Sequence, residues 1–342
     1  MRQHVVIEDR QRSLFLAVAA CCFVAMTLVA CDGSDNSDGD TDTSAADGGS
    51  DAEDGGVVDE NPAPPLAELS EGECPDLTTS GISTFRSAGH DRKVAVLFPD
   101  NPPRGLPVIF NFHGLTSPEY TPVEASQASL QAEANARDAI IVVPEARQQT
   151  LPFIGTFLLW GIMDDETPDL ILFDDLRTCL SQTFEIDLKR ISTWGHSGGA
   201  LWNTALLMNR SDQLATVVEF SGGADFSIPF VGGPYLVYES PNSKVPVLLV
   251  TGGPEDVWPD SDSPMIEFEA TTDTLQSHLA EDEHLVVRCR HTLGHYEIPT
   301  NGWDFSHEWM LTHRLGEPSP YAEDGLGAED SWCASVESDD SQ

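Results

Sequence analysis

The sequence predicts an α/β fold in which helices cover both faces of a mostly parallel central sheet. Two observations lead to this prediction. Strand-like apolar runs alternate with helix-like runs over a body of about 250 residues, which is long enough for one domain with a full core. In addition, a serine flanked by glycines separates a strand-like run from a helix-like run, in the segment Gly195-His196-Ser197-Gly198-Gly199.

The predicted elements follow one another in the order expected of a parallel sheet. Short apolar runs bounded by Gly, Pro or Asp indicate strands, and longer runs of helix-forming residues indicate helices. The predicted strands are residues 93–98, 106–112, 139–143, 191–194, 217–220, 245–250 and 285–290. The predicted helices are residues 124–138, 173–184, 200–208, 265–280 and 303–315.

The segment around Ser197 has the features of a nucleophile elbow. The flanking glycines allow a tight turn from strand to helix. Such a turn exposes the serine hydroxyl at the N-terminus of the helix, where backbone N–H groups can stabilise an oxyanion. We therefore predict that Ser197 is a nucleophile. The alternative is a glycine-rich turn that contains an incidental serine.

A serine nucleophile needs a base, and the base needs a carboxylate that orients it. The apolar run 245–250 is followed by a loop rich in Gly and Pro that carries Asp256. An acid at the end of a buried strand is the expected position of this carboxylate, so Asp256 is preferred. Glu255 and Asp260 in the same loop remain alternatives, and solvated loop acids are common in a chain this acidic.

Two histidines follow the predicted strand 285–290. His291 lies nearer the strand end, whereas His295 follows a glycine that would let the loop bring its ring toward the serine. We prefer His295 as the base. The resulting chain order of Ser, Asp and His is that of the α/β-hydrolases. His196 is interpreted as the variable position of the elbow, with its ring directed away from the hydroxyl.

The predicted strand 106–112 ends at His113-Gly114-Leu115-Thr116. In enzymes with a nucleophile elbow, the loop after this strand supplies one N–H of the oxyanion hole, and the residue after the nucleophile supplies the other. This predicts an oxyanion hole made by the backbone amides of Leu115 and Gly198. His113 is expected to have a structural role beneath the loop.

These motifs resemble the polyhydroxybutyrate-depolymerase-like and feruloyl-esterase-like branch of the α/β-hydrolases, a group of secreted bacterial esterases. The resemblance extends from about residue 74 to about residue 315. Its matching features are Phe112-His113-Gly114, the run 187–199, Asp256-Val257-Trp258-Pro259 and Gly294-His295. The chain departs from the branch at His196, where a small residue or Leu is usual, and at residues 296–299, where Trp-Pro is usual.

The resemblance implies an α/β-hydrolase fold and a serine esterase that works through an acyl-enzyme without a cofactor or a metal. The departures put the substrate in doubt and leave the chemistry intact. A polyester depolymerase or a peptidase on the same fold is the alternative among enzymes. A catalytically silent, hydrolase-like surface lipoprotein is the alternative from another class.

The N-terminal residues 1–30 are predicted to be a lipoprotein signal peptide. Three arginines precede an uncharged run from residue 14 to residue 30, which is short for a membrane span. The run ends in Leu28-Val29-Ala30-Cys31, which resembles a bacterial lipobox and implies cleavage before Cys31 and lipidation of its sulfur. An ordinary cleaved signal or an uncleaved anchor is the alternative.

Residues 31–65 are predicted to be an acidic, disordered tether. From Asp32 to Glu60 there are eleven acidic residues and no Lys or Arg, so this stretch cannot bury enough apolar surface to fold. The catalytic domain is expected to span residues 66–316, and residues 317–342 form a predicted acidic tail. We expect the protein in the cell envelope, lipid-anchored and facing the periplasm or the cell exterior.

The formal net charge of −40 argues against nucleic acid as a partner, because the phosphate backbone would be repelled. The expected partner is a small-molecule or polymeric ester substrate. Contact with a membrane is expected through the lipid anchor alone, and the protein is expected to be a monomer.

Four cysteines remain in the predicted mature body, namely Cys74, Cys179, Cys289 and Cys333. An even set in an oxidising compartment predicts two disulfides, and three pairings are possible. A metal site is the alternative, but no Cys-x-x-Cys spacing supports it.

Two aromatic-rich excursions, residues 153–160 and 226–235, are expected to rise over the edge of the active site. They could form a hydrophobic acyl or aryl pocket, or they could simply pack as long loops against the core. The residue pattern favours neither interpretation.

Overall fold

A nine-stranded sheet forms the centre of the computed structural model, which describes residues 62–151, 155–162, 168–228, 232–327 and 332–336. The strands are β1 (Gly81–Ser87), β2 (His90–Leu97), β3 (Leu106–Phe112), β4 (Ile140–Pro144), β5 (Arg147–Leu151), β6 (Gly155–Leu159), β7 (Ile186–His196), β8 (Thr216–Phe220), β9 (Phe226–Ile228), β10 (Gly232–Tyr235), β11 (Val247–Thr251), β12 (Val257–Trp258), β13 (Ile266–Glu267), β14 (Val286–Arg290) and β15 (Cys333–Val336). The helices are α1 (Pro122–Arg137), α2 (Pro168–Thr183), α3 (Gly198–Arg210), α4 (Phe268–Glu281), α5 (Thr300–Thr312) and α6 (Pro320–Asp324).

The strand order in the sheet is β1-β2-β4-β3-β7-β8-β11-β14-β15. The six central strands, β4, β3, β7, β8, β11 and β14, run parallel to one another. At the edges of the sheet, β1, β2 and β15 pair in the antiparallel direction. The predicted mostly parallel sheet is therefore confirmed. Because parallel strands end on the same side, the loops after β3, β7, β8, β11 and β14 meet at one edge of the sheet.

Alternate residues of each central strand pack on opposite faces, and each face carries its own apolar core. In β3, Val108 and Phe110 belong to one core and Ile109 to the other. The first core is closed by α2, α3 and α4, and the second by α1 and α5. All seven residues of β3 are buried, as expected of a parallel strand covered on both faces. The prediction of helices on both faces is thus confirmed.

Two disulfides join the four cysteines of the body. Cys74 pairs with Cys179, which links the segment before β1 to α2, and Cys289 pairs with Cys333, which links β14 to β15. The structure thus selects one of the three pairings that the sequence left open. Structural disulfides persist in oxidising compartments, so this pair indicates a protein located outside the cytoplasm.

Regular structure continues beyond residue 316, where we placed the end of the catalytic domain. Helix α6 packs its Tyr321 ring on Trp309 of α5 at a centroid distance of 4.8 Å, and β15 extends the sheet next to β14. A disulfide at Cys333 was expected from the sequence, whereas helix α6 and the pairing of β15 with the distant strand β14 were not. The folded part therefore includes a portion of the predicted tail.

At the other end, two residues that precede the predicted boundary at residue 66 contact α2. The buried Arg177 of α2 donates hydrogen bonds to the carbonyls of Pro64 and Pro65, at 2.8 and 3.0 Å. The predicted signal peptide, Cys31 and most of the predicted tether lie outside the described residues. Within the part of the chain that the structure describes, no helix is long and apolar enough to cross a membrane.

Candidate active site

The turn from β7 to α3 carries Ser197 in a backbone conformation that serine rarely adopts. Its φ is 57° and its ψ is −123°, and its amide donates to the carbonyl of Phe220 at 2.9 Å. A Cβ on Gly195 would overlap the carbonyl of Gly199, and a Cβ on Gly199 would overlap the carbonyl of Phe112. Both glycines are therefore required by close backbone approach. Strained residues of this kind cluster at functional sites, and each costs about 1–3 kcal/mol.

The structure brings the side chains of Ser197, His295 and Asp256 together in one hydrogen-bonded chain. His295 Nε2 lies 3.0 Å from Ser197 Oγ, and its Nδ1 lies 2.8 Å from Asp256 Oδ1. Because a carboxylate only accepts, Nδ1 carries the proton and Nε2 is free to accept the serine proton. Both His295 and Asp256 are buried, at 4% and 1% exposure. These three residues were named from the sequence.

The rival residues do not join this chain. Glu255 and Asp260 are exposed on the same loop. The backbone amide of His291 donates to the Thr251 carbonyl at 2.9 Å, and its Nδ1 accepts from the Leu293 amide at 3.2 Å. The loop after β14 thus holds His291 at the strand end. The side chain that reaches Ser197 is that of His295, four residues later and directly after Gly294 at φ 74°.

The second oxygen of the Asp256 carboxylate has two donors of its own. Oδ2 accepts from the Gly252 amide at 2.8 Å and from the Ser221 hydroxyl at 2.9 Å. Burial acts to raise the pKa of this carboxyl, but the hydrogen bonds from His295, Gly252 and Ser221 and the nearby imidazole outweigh burial and lower the pKa. Asp256 is thus held in its ionised form, in a buried position.

Sequence reasoning missed Ser221. A signal was present, because the predicted strand 217–220 is followed by Ser221-Gly222-Gly223, a second strand-end serine with glycines behind it.

The His295 imidazole is held by neighbouring rings. Phe268 stacks on it almost in parallel, with ring centroids 4.4 Å apart and an interplanar angle of 6°. The amide of Phe268 donates to the Asp256 carbonyl at 2.9 Å, so the start of α4 is tied to the same loop. Tyr296 approaches the His295 ring edge-on at 5.0 Å. The sequence did not identify Phe268, because nothing in the local pattern of α4 relates it to His295.

His196 also supports the base. Its Nε2–H donates to the backbone carbonyl of His295 at 2.8 Å, and the two ring centroids lie 4.9 Å apart. Burial lowers the pKa of His196, and the nearby His295 lowers it further. A neutral His196 with this hydrogen bond fixes the backbone beneath the His295 ring, a contact that we did not foresee.

The loop after β3 lies directly against the elbow, as its sequence led us to expect. A Cβ on Gly198 would lie 3.0 Å from the amide nitrogen of Leu115, and a Cβ on Gly114 would lie 3.2 Å from the Cβ of Ser197. Gly198 is the first residue of α3, and the first amides of a helix have no partner within the helix. The amides proposed for an oxyanion hole, those of Leu115 and Gly198, are thus neighbours beside Ser197.

His113 holds this loop in place. Its Nδ1–H donates to the Gly114 carbonyl at 2.7 Å, and its Nε2 accepts from the Ala146 amide at 3.0 Å. The Trp160 indole donates to the His113 carbonyl at 2.8 Å. Burial lowers the pKa of His113 to about 4, so the ring is neutral at physiological pH. The structural role expected for His113 fits these contacts.

The two aromatic-rich excursions form the hairpins β5–β6 and β9–β10. The first is joined to the loop after β3, because Leu158 and Thr116 exchange backbone hydrogen bonds of 2.8 and 3.4 Å. Trp160 after β6 is buried against Phe112 and Trp202, so this residue belongs to the core. Residues 152–154 and 229–231, at the hairpin tips, lie outside the described residues, and the pocket interpretation stays a prediction.

No family model matches the chain, and no curated protein sequence matches it. Among solved structures, the chain is similar to native sOPH, with 20% sequence identity, coverage of 79% of this chain and 96% of that chain, and a TM-score of 0.61. It is similar to native pOPH at 18% identity, with 77% and 96% coverage and a TM-score of 0.58. A ferulic acid esterase is similar at 14% identity, with 68% and 96% coverage and a TM-score of 0.49.

Identities of this size show a shared fold and no more. The observed strand order, the elbow between β7 and α3 and the loops gathered at the carboxyl edge of the sheet agree with that fold. The chain therefore has the α/β-hydrolase fold.

Proposed function

We propose that the protein is a serine esterase that hydrolyses carboxylic esters through an acyl-enzyme. The observation that carries the proposal is the hydrogen-bonded chain from Ser197 Oγ through the His295 imidazole to the Asp256 carboxylate, at 3.0 and 2.8 Å. The serine stands in a strained turn at the N-terminus of α3, where its hydroxyl can meet a substrate. A module that only binds a ligand has no need of these three groups in this order.

In the first step, Ser197 Oγ attacks the ester carbonyl carbon, and its proton moves to His295 Nε2. The electron pair of the carbonyl double bond moves to the carbonyl oxygen. The amides of Leu115 and Gly198 donate hydrogen bonds to the oxyanion that forms. The Asp256 carboxylate balances the charge of the imidazolium through Nδ1, and its lowered pKa keeps it ionised throughout.

The tetrahedral intermediate then collapses. The bond to the alcohol oxygen breaks, His295 gives its proton to the departing alcohol, and the acyl group remains on Ser197. Water then gives a proton to His295 Nε2 and attacks the acyl carbon. The bond between this carbon and Ser197 Oγ breaks, His295 returns its proton to Oγ, and the acid is released. These steps require no cofactor.

The proposed substrates are small-molecule or polymeric esters that the protein meets outside the cytoplasm. The two disulfides fit such a location. The proposed anchor is a lipid on Cys31, at the start of the predicted acidic tether.

The test of activity uses the purified mature chain. A fluorophosphonate probe should label the wild type, and short acyl, feruloyl and hydroxybutyrate esters are screened for hydrolysis. Ser197→Ala should lose both signals, and Ser306→Ala is its control, because Ser306 is a buried serine that donates to a backbone carbonyl of α5. Labelling of the wild type with cleavage of peptides and no ester would favour a peptidase. Absence of both labelling and hydrolysis would favour a silent binding lipoprotein.

The test of the anchor uses Cys31→Ser in a bacterial host. The wild type should fractionate with membranes, and the variant should move to the soluble fraction. A mature N-terminus that mass spectrometry finds unmodified and at a residue other than Cys31 would replace the anchored form with a freely secreted esterase.

A further inference from the structure

The turn that follows β8 contacts Asp256, lies beside the elbow that carries Ser197, and packs on the helix whose first residue stacks on His295. It consists of Ser221, Gly222 and Gly223, and Ser221 has a φ of 56°. Ser221 follows Phe220, whose carbonyl accepts from the Ser197 amide at 2.9 Å. The turn therefore lies directly beside the elbow, at the same edge of the sheet.

Ser221 is built into the site by both its backbone and its side chain. Its amide donates to the Val250 carbonyl of β11 at 2.8 Å, and its hydroxyl donates to Asp256 Oδ2 at 2.9 Å. The residue is 4% exposed. Since an ionised carboxylate can only accept, the hydroxyl proton points at Asp256. This hydrogen bond lies on the side of the carboxylate that His295 does not use.

Helix α4 clamps the turn on one side. The Gly222 carbonyl accepts from the hydroxyls of Thr271 and Thr272, at 2.8 and 3.0 Å, and the Ala224 amide donates to the Thr271 carbonyl at 3.2 Å. The same helix begins with Phe268, whose ring stacks on His295. The position of the turn and the position of the imidazole are thus linked through one helix.

Helix α3 clamps the turn on the other side through Glu219. Thr204 Oγ1 lies 2.9 Å from Glu219 Oε1 and 3.2 Å from the Gly223 carbonyl. The Thr204 hydroxyl donates to Glu219 Oε1 and also lies within hydrogen-bonding distance of the Gly223 carbonyl, so one side chain of α3 joins the carboxyl to the turn. Burial raises the pKa of Glu219 to about 8.

We infer that Ser221 is a positioning residue of the proposed reaction, which orients the Asp256 carboxylate and disperses its charge from the side opposite His295. Glu219 and Thr204 hold the turn in the conformation that presents the Ser221 hydroxyl. The inference rests on the proposed function, because orienting Asp256 affects turnover only if Ser197 and His295 act as nucleophile and base. The field of Asp256 also reaches His196, His291 and Arg288, and these three residues are left unchanged in the test.

The experiment compares Ser221→Ala and Ser221→Gly with the wild type and with the control Ser306→Ala, all as full chains. Hydrolysis of p-nitrophenyl acetate yields kcat and KM across pH, and thermal unfolding checks folding. Ser221→Gly separates the two roles of the residue, because glycine accepts a φ of 56° without strain yet lacks the hydroxyl.

Loss of the Ser221 hydroxyl should lower kcat by about tenfold in both variants, because a less firmly oriented Asp256 holds the His295 imidazole less well for proton transfer. KM should change by less than about twofold, because the buried Ser221 hydroxyl donates its proton to Asp256 and does not contact a substrate. The acid limb of kcat/KM should move to higher pH by about half a unit, since a less dispersed Asp256 charge stabilises the imidazolium more. Ser306→Ala should match the wild type in all three measurements.

A Ser221→Gly variant that folds and retains kcat within twofold of the wild type overturns the inference. A parallel loss of kcat with an unmoved acid limb also overturns it, because a purely structural defect produces that result. A wild type that neither hydrolyses the ester nor reacts with a fluorophosphonate instead overturns the proposed function, and the inference with it.

Discussion

The adjacent strands β7 and β8 are followed by similar turns, and the two turns contact different residues of the site. Each is followed by a serine in the left-handed region, Ser197 at φ 57° and Ser221 at φ 56°, and each serine precedes two glycines. Ser197 continues into a helix and faces His295, whereas Ser221 continues into a loop and faces Asp256. The same local motif thus provides a proposed nucleophile on one strand and an orienting hydroxyl on the next.

The difference lies in what surrounds each turn. The amides that follow Ser197 open α3 and lie beside the Leu115 amide, so charge on an oxygen can be stabilised there. The hydroxyl of Ser221 donates to the Asp256 carboxylate, whose pKa is lowered, so this acceptor is a much weaker base than a neutral imidazole and does not take the proton. Reactivity therefore depends on the partner that the tertiary structure supplies and not on the Ser-Gly-Gly motif.

The largest effect is expected from removing the Ser197 hydroxyl. We expect Ser197→Ala to abolish fluorophosphonate labelling and to lower ester turnover by more than about 10⁴-fold, because loss of a nucleophile removes the covalent route. Labelling is followed by in-gel fluorescence and turnover by release of p-nitrophenol. Residual activity within about tenfold of the wild type, or labelling that persists at Ser221, would place the nucleophile elsewhere.

The two histidines after β14 provide the second test. His295→Ala should lower turnover by several orders of magnitude, Asp256→Asn by an intermediate amount, and His291→Ala by little, because His291 is held to the strand end by Thr251 and Leu293. The measurement is kcat/KM at one pH on one ester. Inactivity of His291→Ala alone would mean that the loop is placed wrongly, while the fold would stand.

The third test concerns Glu219 beneath the second turn. Its folded-state pKa of about 8 lies above the ordinary value of 4.5, so the folded protein binds a proton that the unfolded chain has released. The contribution of the neutral acid to stability is therefore complete below about pH 4.5 and is lost as the pH rises through about 8.

We expect Glu219→Gln to be more stable than the wild type at pH 8 and similar to it at pH 5. The expected difference at pH 8 is about 4 kcal/mol, because the pKa of this buried group rises from 4.5 to about 8 and each unit corresponds to about 1.4 kcal/mol. Urea unfolding at several pH values with the disulfides intact measures it. An equal difference at both pH values would show that Glu219 is ionised in the fold.

The smallest effect distinguishes the glycines of the two turns. A Cβ on Gly199 would overlap the backbone carbonyl of Phe112, whereas a Cβ on Gly222 would overlap only side-chain atoms, the Glu219 carboxylate and the Ala200 Cβ. Gly199→Ala should therefore cost about 3 kcal/mol of unfolding free energy, and Gly222→Ala about 1–2 kcal/mol. Denaturant midpoints measure both, and the reverse order would show that the side chains around Gly222 are less tolerant than the backbone around Gly199.

Much of the framework could be predicted from the chain alone. The continuous apolar runs identified the central strands. Ser197, Asp256 and His295 each follow such a run, in the chain order of the α/β-hydrolases, and could therefore be grouped without knowledge of the strand order. The predicted strand 106–112 coincides with β3, because a run buried on both faces has a sharp compositional limit at each end. Local glycines and the apolar pattern carry this information in the residues themselves.

The other contacts of the site depend on which distant segments become neighbours in the tertiary structure. The chain order does not tell that β8 lies between β7 and β11, so the Ser221–Asp256 hydrogen bond could not be derived from it. The stacking of Phe268 on His295, the choice of one disulfide pairing out of three and the addition of β15 to the sheet have the same origin. Side-chain partners separated by tens of residues are selected by strand order and register, and single-residue patterns do not encode either.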